Sequence, residues 1–393
     1  MNTLNKEEIK KIDDEYIVHT YGRSPLFADH AKGVFVYDTD GKEYLDFGSG
    51  IGVASLGYCN DEWLKAVTEQ AGQIQHISNL YYTKPMVLLA RAMCEKSGFK
   101  KAFFCNSGAE ANECAIKVAR KYGNSQNPAK NKVVTLIDSF HGRTIQTLTA
   151  TGQEDMHQMF GPFSAGFEYV AAGDIEGLQN VVDDNTCAVL FECVQGEGGV
   201  NVMSKEFVKT IEEVSKEHDA LVIVDEVQTG IGRTGKFFAF ENYGIEPDMV
   251  TFAKGIGGGL PLGGVLFNEK TQGVLEPGDH GTTFGANPVV CSGALAVMKK
   301  MTDEFIEDVK VKGDYLLGQL KLIDNVRDAD GLGLMIGFNI EGADPAEAAA
   351  KCLEKGLIVL TAHGKIRLLP PLIISKEEID KGIGIIRDVA ANI

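Results

Sequence analysis

Short apolar runs rich in β-branched residues recur through the middle of the chain, at residues 102–105, 133–137, 188–191, 220–224, 249–253 and 264–267. Runs that are apolar at every position, with no alternation, suit interior strands of a parallel sheet. Helical spacing fills the gaps, most clearly where Ala111, Cys114, Ala115, Val118 and Ala119 fall on one face at i, i+3, i+4, i+7 and i+8. This alternation predicts an α/β fold: a large domain with a mostly parallel sheet covered by helices.

The two ends of the chain read differently. A polar helix candidate opens it, and two short strands at 33–37 and 42–47 flank Asp38-Thr39-Asp40-Gly41, a hairpin signal. Gly48 to Gly52 then reads as a flexible exit. Beyond Pro288 a long helical stretch (289–322) leads to a strand at 334–340, a helix at 346–355 and strands at 357–360 and 366–369. The last helix opens on Ser375-Lys376-Glu377-Glu378, a capping-box spacing, with Ile379, Ile383 and Ile386 along one face. The expected division is an N-terminal segment 1–52 joining the small domain, a large domain 53–287, and a smaller α+β domain 288–393. No internal repeat or low-complexity linker interrupts it.

Charge and cysteine usage narrow the function. The formal net charge is -17 over 393 residues with no basic run, which argues against nucleic acid or an anionic membrane as partner. No apolar run approaches a membrane span, and residues 1–15 are too polar for a secretory signal. Eight cysteines are scattered without a Cys-x-x-Cys, which fits reduced thiols in a cytoplasmic protein. No His-Glu-x-x-His or Cys/His cluster suggests a metal.

The chemistry gathers at the strand ends, where open α/β sheets bind ligands. The run 220–224 stops at Asp225-Glu226, and 249–253 stops at Lys254 followed by Gly255-Ile256-Gly257-Gly258-Gly259. An acid and an amine meeting there form either a plain ion pair or a Schiff-base site of the kind pyridoxal phosphate requires, and the glycines, which let a ligand approach, favour the second. Strand 102–105 runs into Asn106-Ser107-Gly108-Ala109-Glu110, either an ordinary N-cap or a phosphate cup at a helix start. Strand 133–137 runs into Phe140-His141-Gly142-Arg143, a ring followed by a carboxylate fork, though Phe140 alone reads as core and Arg143 alone as a solvated charge. Glu192 and Glu197 sit among glycines, and Arg367 sits in an apolar run, so each needs a partner.

Two other readings fail on detail. A P-loop ATPase needs a hydroxyl after the lysine of its glycine-rich loop, and Phe237 follows Lys236 instead. The string Gly230-Ile231-Gly232-Arg233-Thr234-Gly235 matches a dinucleotide fingerprint, but the residues after it lack the pattern of a helix packing on a sheet.

Five ordered motifs, Asn106-Ser107-Gly108-Ala109-Glu110-Ala111-Asn112, Phe140-His141-Gly142-Arg143-Thr144, Gln195-Gly196-Glu197-Gly198-Gly199, Asp225-Glu226-Val227-Gln228-Thr229-Gly230 and Lys254-Gly255, resemble the class III, fold type I pyridoxal-phosphate aminotransferases from about Tyr21 onward. The resemblance implies that Lys254 carries the cofactor and shuttles the substrate proton, that Asp225 holds the ring nitrogen protonated, that Phe140 and Val227 sandwich the ring and that Gln228 bonds its phenolic oxygen. It implies a phosphate held by Ser107, Gly108 and Ala109, with Thr283 from a second subunit and Thr282 nearer the substrate, hence a homodimer. Tyr21 and Arg143 would hold the carboxylate of an ω-amino donor. Arg367 would receive the second carboxylate of 2-oxoglutarate after Glu197, its partner meanwhile, swings away. Cys193, Tyr58-Cys59-Asn60 and Ala109 depart from the family pattern; Ala109 puts more of the phosphate on backbone and Ser107.

Overall fold

The computed structural model describes residues 4–393, so Met1–Thr3, at the start of the expected polar helix, lie outside the described residues. Its central element is a seven-stranded sheet with spatial order Lys101–Cys105, Gly263–Phe267, Met249–Phe252, Leu221–Asp225, Thr186–Phe191, Lys132–Leu136, Phe167–Val170. Gly263–Phe267 runs antiparallel to both neighbours, and every other pairing is parallel. Thr186–Phe191 and Leu221–Asp225 are buried at every position. The period of two divides their side chains between two covers. Ala188, Leu190, Leu221 and Ile223 pack with Ala111, Ala115 and Val118 of helix Gly108–Gln126. Val189, Phe191, Val222 and Val224 pack on the other side with Phe207, Val208 and Ile211 of helix Lys205–Glu217.

A second sheet, Val326–Leu332, Met335–Ile340, Lys365–Leu368 and Leu360–Ala362, is antiparallel throughout. A third joins the two ends of the chain, because the hairpin strand Glu43–Asp46 pairs parallel with Leu357–Ile358. The last helix, Lys376–Ala391, carries the expected capping box at Ser375 and buries Ile379, Ile383 and Ile386. Among the described residues no helix is long and apolar enough to cross a membrane. All eight cysteines are free, and six of them are buried.

Three expectations change. The helical stretch 289–322 is two helices, Pro288–Lys300 and Asp303–Lys321, broken where Thr302 accepts the Phe305 N–H at 3.2 Å. Thr302-Asp303-Glu304 is an N-cap followed by acids, a start signal hidden inside an apolar-periodic run. Ala28–Lys32, Phe167–Val170 and Val326–Leu332 add strands that the pattern did not predict; they lack an apolar run, Ala28–Lys32 has no buried position and the other two have one each. The expected flexible exit at 48–52 is a fixed turn with left-handed backbone at Ser49, Gly50 and Ile51, held by Asp46 accepting the N–H groups of Gly48 and Ser49 at 2.7 and 3.0 Å.

Candidate active site

The strand ends of the large sheet open into one cavity of about 440 Å³. It draws on Ser107 to Ala109, on Phe140 to Arg143, and on Glu192, Asp225, Val227, Gln228 and Lys254. Segments more than a hundred residues apart in sequence thus meet because their strands are neighbours in the sheet.

Asp225 and Lys254 share the cavity without forming the plain ion pair. Asp225 Oδ2 accepts from Asn112 Nδ2 at 2.7 Å and lies 2.8 Å from His141 Nδ1, while Oδ1 accepts the Val227 N–H at 3.0 Å. Its carboxylate is therefore fixed in position. No carboxylate of the described residues comes within 4.0 Å of Lys254 Nζ. Burial holds the Lys254 ammonium below its ordinary value, against the opposing pull of Glu197 and Asp225. Lys254 also stands at φ 48°, a left-handed conformation that costs about 1 kcal/mol for a residue with a side chain. A buried lysine in a strained position on the cavity wall is a functional candidate on physical grounds.

His141 and Asn112 are the residues that sequence reasoning missed. His141 is 2 % exposed, and Asn112 reaches both Asp225 and the His141 carbonyl, the latter at 2.8 Å. The signal lay in Asn112 itself, a polar residue on an otherwise apolar helix face.

At the head of helix Gly108–Gln126, Ser107 Oγ accepts the Glu110 N–H at 3.2 Å and donates to Glu110 Oε2 at 3.0 Å, so the N-cap reading holds. The cup reading holds beside it. The N–H groups of Gly108 and Ala109, in the first turn, have no acceptor within the helix. Gly108 is required there, since a Cβ would lie 2.7 Å from Val227 Cγ1. An anion cup, an aromatic and a branched aliphatic side chain lining the same cavity, a fixed carboxylate and an unpaired amine fit pyridoxal phosphate.

Arg143 is exposed, 5.4 Å over the Phe140 ring, and makes no ion pair among the described residues, which leaves its fork for a ligand. Arg367 is 2 % exposed and donates to Glu197 Oε1 at 2.7 Å, Gly196 O at 3.1 Å and Gln228 Oε1 at 3.1 Å. Burial alone would raise the Glu197 carboxyl, but the guanidinium outweighs it and holds the group below the usual range. Gln228 is thus occupied by the Arg367–Glu197 pair, with Nε2 also 3.4 Å from Glu197. Five predicted residues lie outside the cavity lining: Glu197 and Arg367, which pair with each other, and Tyr21, Thr282 and Thr283. Tyr21 is 77 % exposed, Thr283 is exposed, and Thr282 accepts from Asn106 Nδ2 at 2.9 Å.

Next to Asp225, Glu226 points into the core and accepts the Phe240 N–H at 2.8 Å. Burial pushes it up to about 7. Between its ordinary value and about 7 the folded chain binds the extra proton, so this group weakens the fold as pH rises through that window. Glu226→Gln is expected to remove about 3 kcal/mol of that loss, seen in urea unfolding at pH 5 and pH 8.

Residues 16–390 match the family described as Aminotransferase class-III. The chain is 45% identical over 389 residues to the acetylornithine aminotransferase of Haemophilus ducreyi, covering 98% of this chain and 99% of that one. The acetylornithine aminotransferase of Elizabethkingia anophelis superposes with a TM-score of 0.88 at 30% identity, covering all of both chains. An ornithine aminotransferase of Toxoplasma gondii, whose structure holds PLP at partial occupancy in its active site, gives 0.93 at 29% identity over 99% of this chain and 95% of that one.

Proposed function

The chain belongs to the class-III aminotransferase family, and from that premise we propose that it moves the terminal amino group of N2-acetyl-L-ornithine to 2-oxoglutarate, giving N-acetylglutamate 5-semialdehyde and glutamate in arginine biosynthesis. The observation that carries this is the occupied Arg367–Glu197 pair beside a free Arg143. With only Arg143 available, the site accepts a donor through its single α-carboxylate, assisted by Tyr21. Two carboxylates then need Arg367, and Glu197 must leave it. A buried guanidinium without such a partner would be costly during the first half-reaction.

When bound, pyridoxal 5'-phosphate supplies an electron sink for the carbon that loses its proton. The chain does the rest. Gly108, Ala109 and Ser107 hold the phosphate, joined by Thr283 of a second subunit, with Thr282 nearer the substrate. Phe140 and Val227 would enclose the cofactor ring, Asp225 would keep its nitrogen protonated, and Gln228 would turn from the Arg367–Glu197 pair to reach its phenolic oxygen. Burial lowers the Lys254 ammonium from its ordinary value, which favours the neutral form that takes the proton from the donor carbon and returns it.

The division at 1–52, 53–287 and 288–393 follows from the same reading, supported by the strand pairing that ties Glu43–Asp46 to Leu357–Ile358. A homodimer is supported by the outward placement of Thr283 and Phe284 beside exposed Leu80 and Tyr82. Free, mostly buried thiols support a cytoplasmic setting.

Titration of the coloured holoenzyme with acetylornithine, ornithine, succinylornithine, acetyllysine and 4-aminobutyrate tests the reading. Acetylornithine is expected to bleach the cofactor band at the lowest concentration, and a preference for any other donor would overturn the substrate assignment. In the same assay Glu197→Ala is expected to shift the kcat/KM ratio at least about tenfold toward α-amino donors such as glutamate, because Arg367 is then open from the start. An unchanged ratio would remove Glu197 from the gate.

A further inference from the structure

Glu192 follows strand Thr186–Phe191, and nothing above gives it a task. It is 5 % exposed and accepts two backbone N–H groups, that of Phe140 on Oε2 at 3.0 Å and that of Gly196 on Oε1 at 3.3 Å. The two donors belong to different loops. Phe140 begins the segment that ends in Arg143, while Gly196 opens the turn that carries Glu197 and itself offers its carbonyl to Arg367. A buried carboxyl close to Asp225 is an expensive way to fill space. Burial first, and then the Asp225 charge, push Glu192 up to about 7. A side chain with two acceptor oxygens is the simplest group able to hold two inward-facing amides at once.

We propose that Glu192 is a positioning residue that ties the Phe140–Arg143 loop to the Gly196–Glu197 turn, and thereby sets the separation between the two carboxylate-binding arginines, Arg143 and Arg367. The tie acts through the two backbone amides. It rests on the proposed function in treating both arginines as carboxylate holders. Its consequence is selective: a slack tie changes recognition of a substrate that needs both arginines far more than of one that needs only Arg143.

The test uses full-length wild type, Glu192→Gln and Glu192→Asp. Gln keeps the shape but offers one acceptor oxygen, and Asp keeps the charge but is one methylene too short to reach both loops. In the cofactor-free chain, hydrogen exchange at the Phe140 and Gly196 amides is expected to quicken about tenfold in at least one loop in Gln and in Asp. In the holoenzyme, KM for 2-oxoglutarate is expected to rise at least about fivefold more than KM for the donor. Unchanged exchange at both amides, or an equal rise in both KM values, would overturn the tie. Should neither variant fold, wild type still decides, because both amides are expected to be protected in the cofactor-free chain and free exchange at either refutes the proposal. Exchange does not depend on which donor is used. If acetylornithine fails as donor while the exchange result holds, the substrate reading falls and the tie stands; the reverse outcome removes the tie alone.

Discussion

Lys254→Ala is expected to lower kcat at least about 10³-fold, because it removes the only amine in the cavity able to carry a proton to and from the donor carbon. Stability should move the other way. Burial holds the Lys254 ammonium below its ordinary value, so the folded chain sheds that proton more readily than the unfolded one. The penalty is fully present below the folded value and is relieved as pH rises toward the ordinary value of 10.5. The alanine variant therefore gains stability at neutral pH and loses that rise with pH, which denaturant unfolding at pH 7 and pH 10 will read. Single-turnover conversion of donor within tenfold of wild type would show that another group moves the proton.

Asp225→Asn is expected to lower kcat about 10²- to 10³-fold, the usual effect of removing one preorganised electrostatic partner of a developing charge. The substitution keeps the shape that Asn112 and the Val227 N–H hold in place, and it deletes the negative charge. Its single acceptor oxygen leaves either the Val227 N–H or the Asn112–His141 side unpaired, at about 1–3 kcal/mol. Asp225→Ala separates the two contributions, since it also strands Asn112 Nδ2 and His141 Nδ1 in a buried site at about 1–3 kcal/mol each. Turnover measured beside urea midpoints distinguishes them: Asn should lose rate with the smaller fall in stability, and Ala should lose rate with the larger one. Loss of stability in Asn equal to that in Ala would make Asp225 a structural anchor only.

Most of this site was legible from the chain because it lies where apolar runs stop. A run such as 220–224 states its own burial, and the polar residue that ends it has to emerge at the sheet edge. Asp225, Lys254, Phe140 and Ser107 were all found in this way, and so was the pairing of Glu197 with Arg367, from the rule that buried charges need partners. What stayed hidden depends on contacts between segments with no local signature. His141 reads as an ordinary polar loop residue until Asp225 is placed 2.8 Å from it. The break at Met301–Thr302 lies in a continuous apolar period, which masks the cap signal of Thr302-Asp303-Glu304. Phe167–Val170 is an edge strand with one buried residue, so its pairing with Lys132–Leu136 forms it more than its own composition does.

The acid, the amine and the anion cup all stand on the seven-stranded sheet, whereas Arg367 comes from the antiparallel sheet near the C-terminus and reaches them through Glu197 and Gln228. On the proposed reading, bond-making machinery and recognition of a second carboxylate stand on separate platforms. A lineage can retune which amino compounds it consumes by substitutions in the smaller platform, or in the single carboxylate that bridges the two, while the costly arrangement around the lysine is left alone.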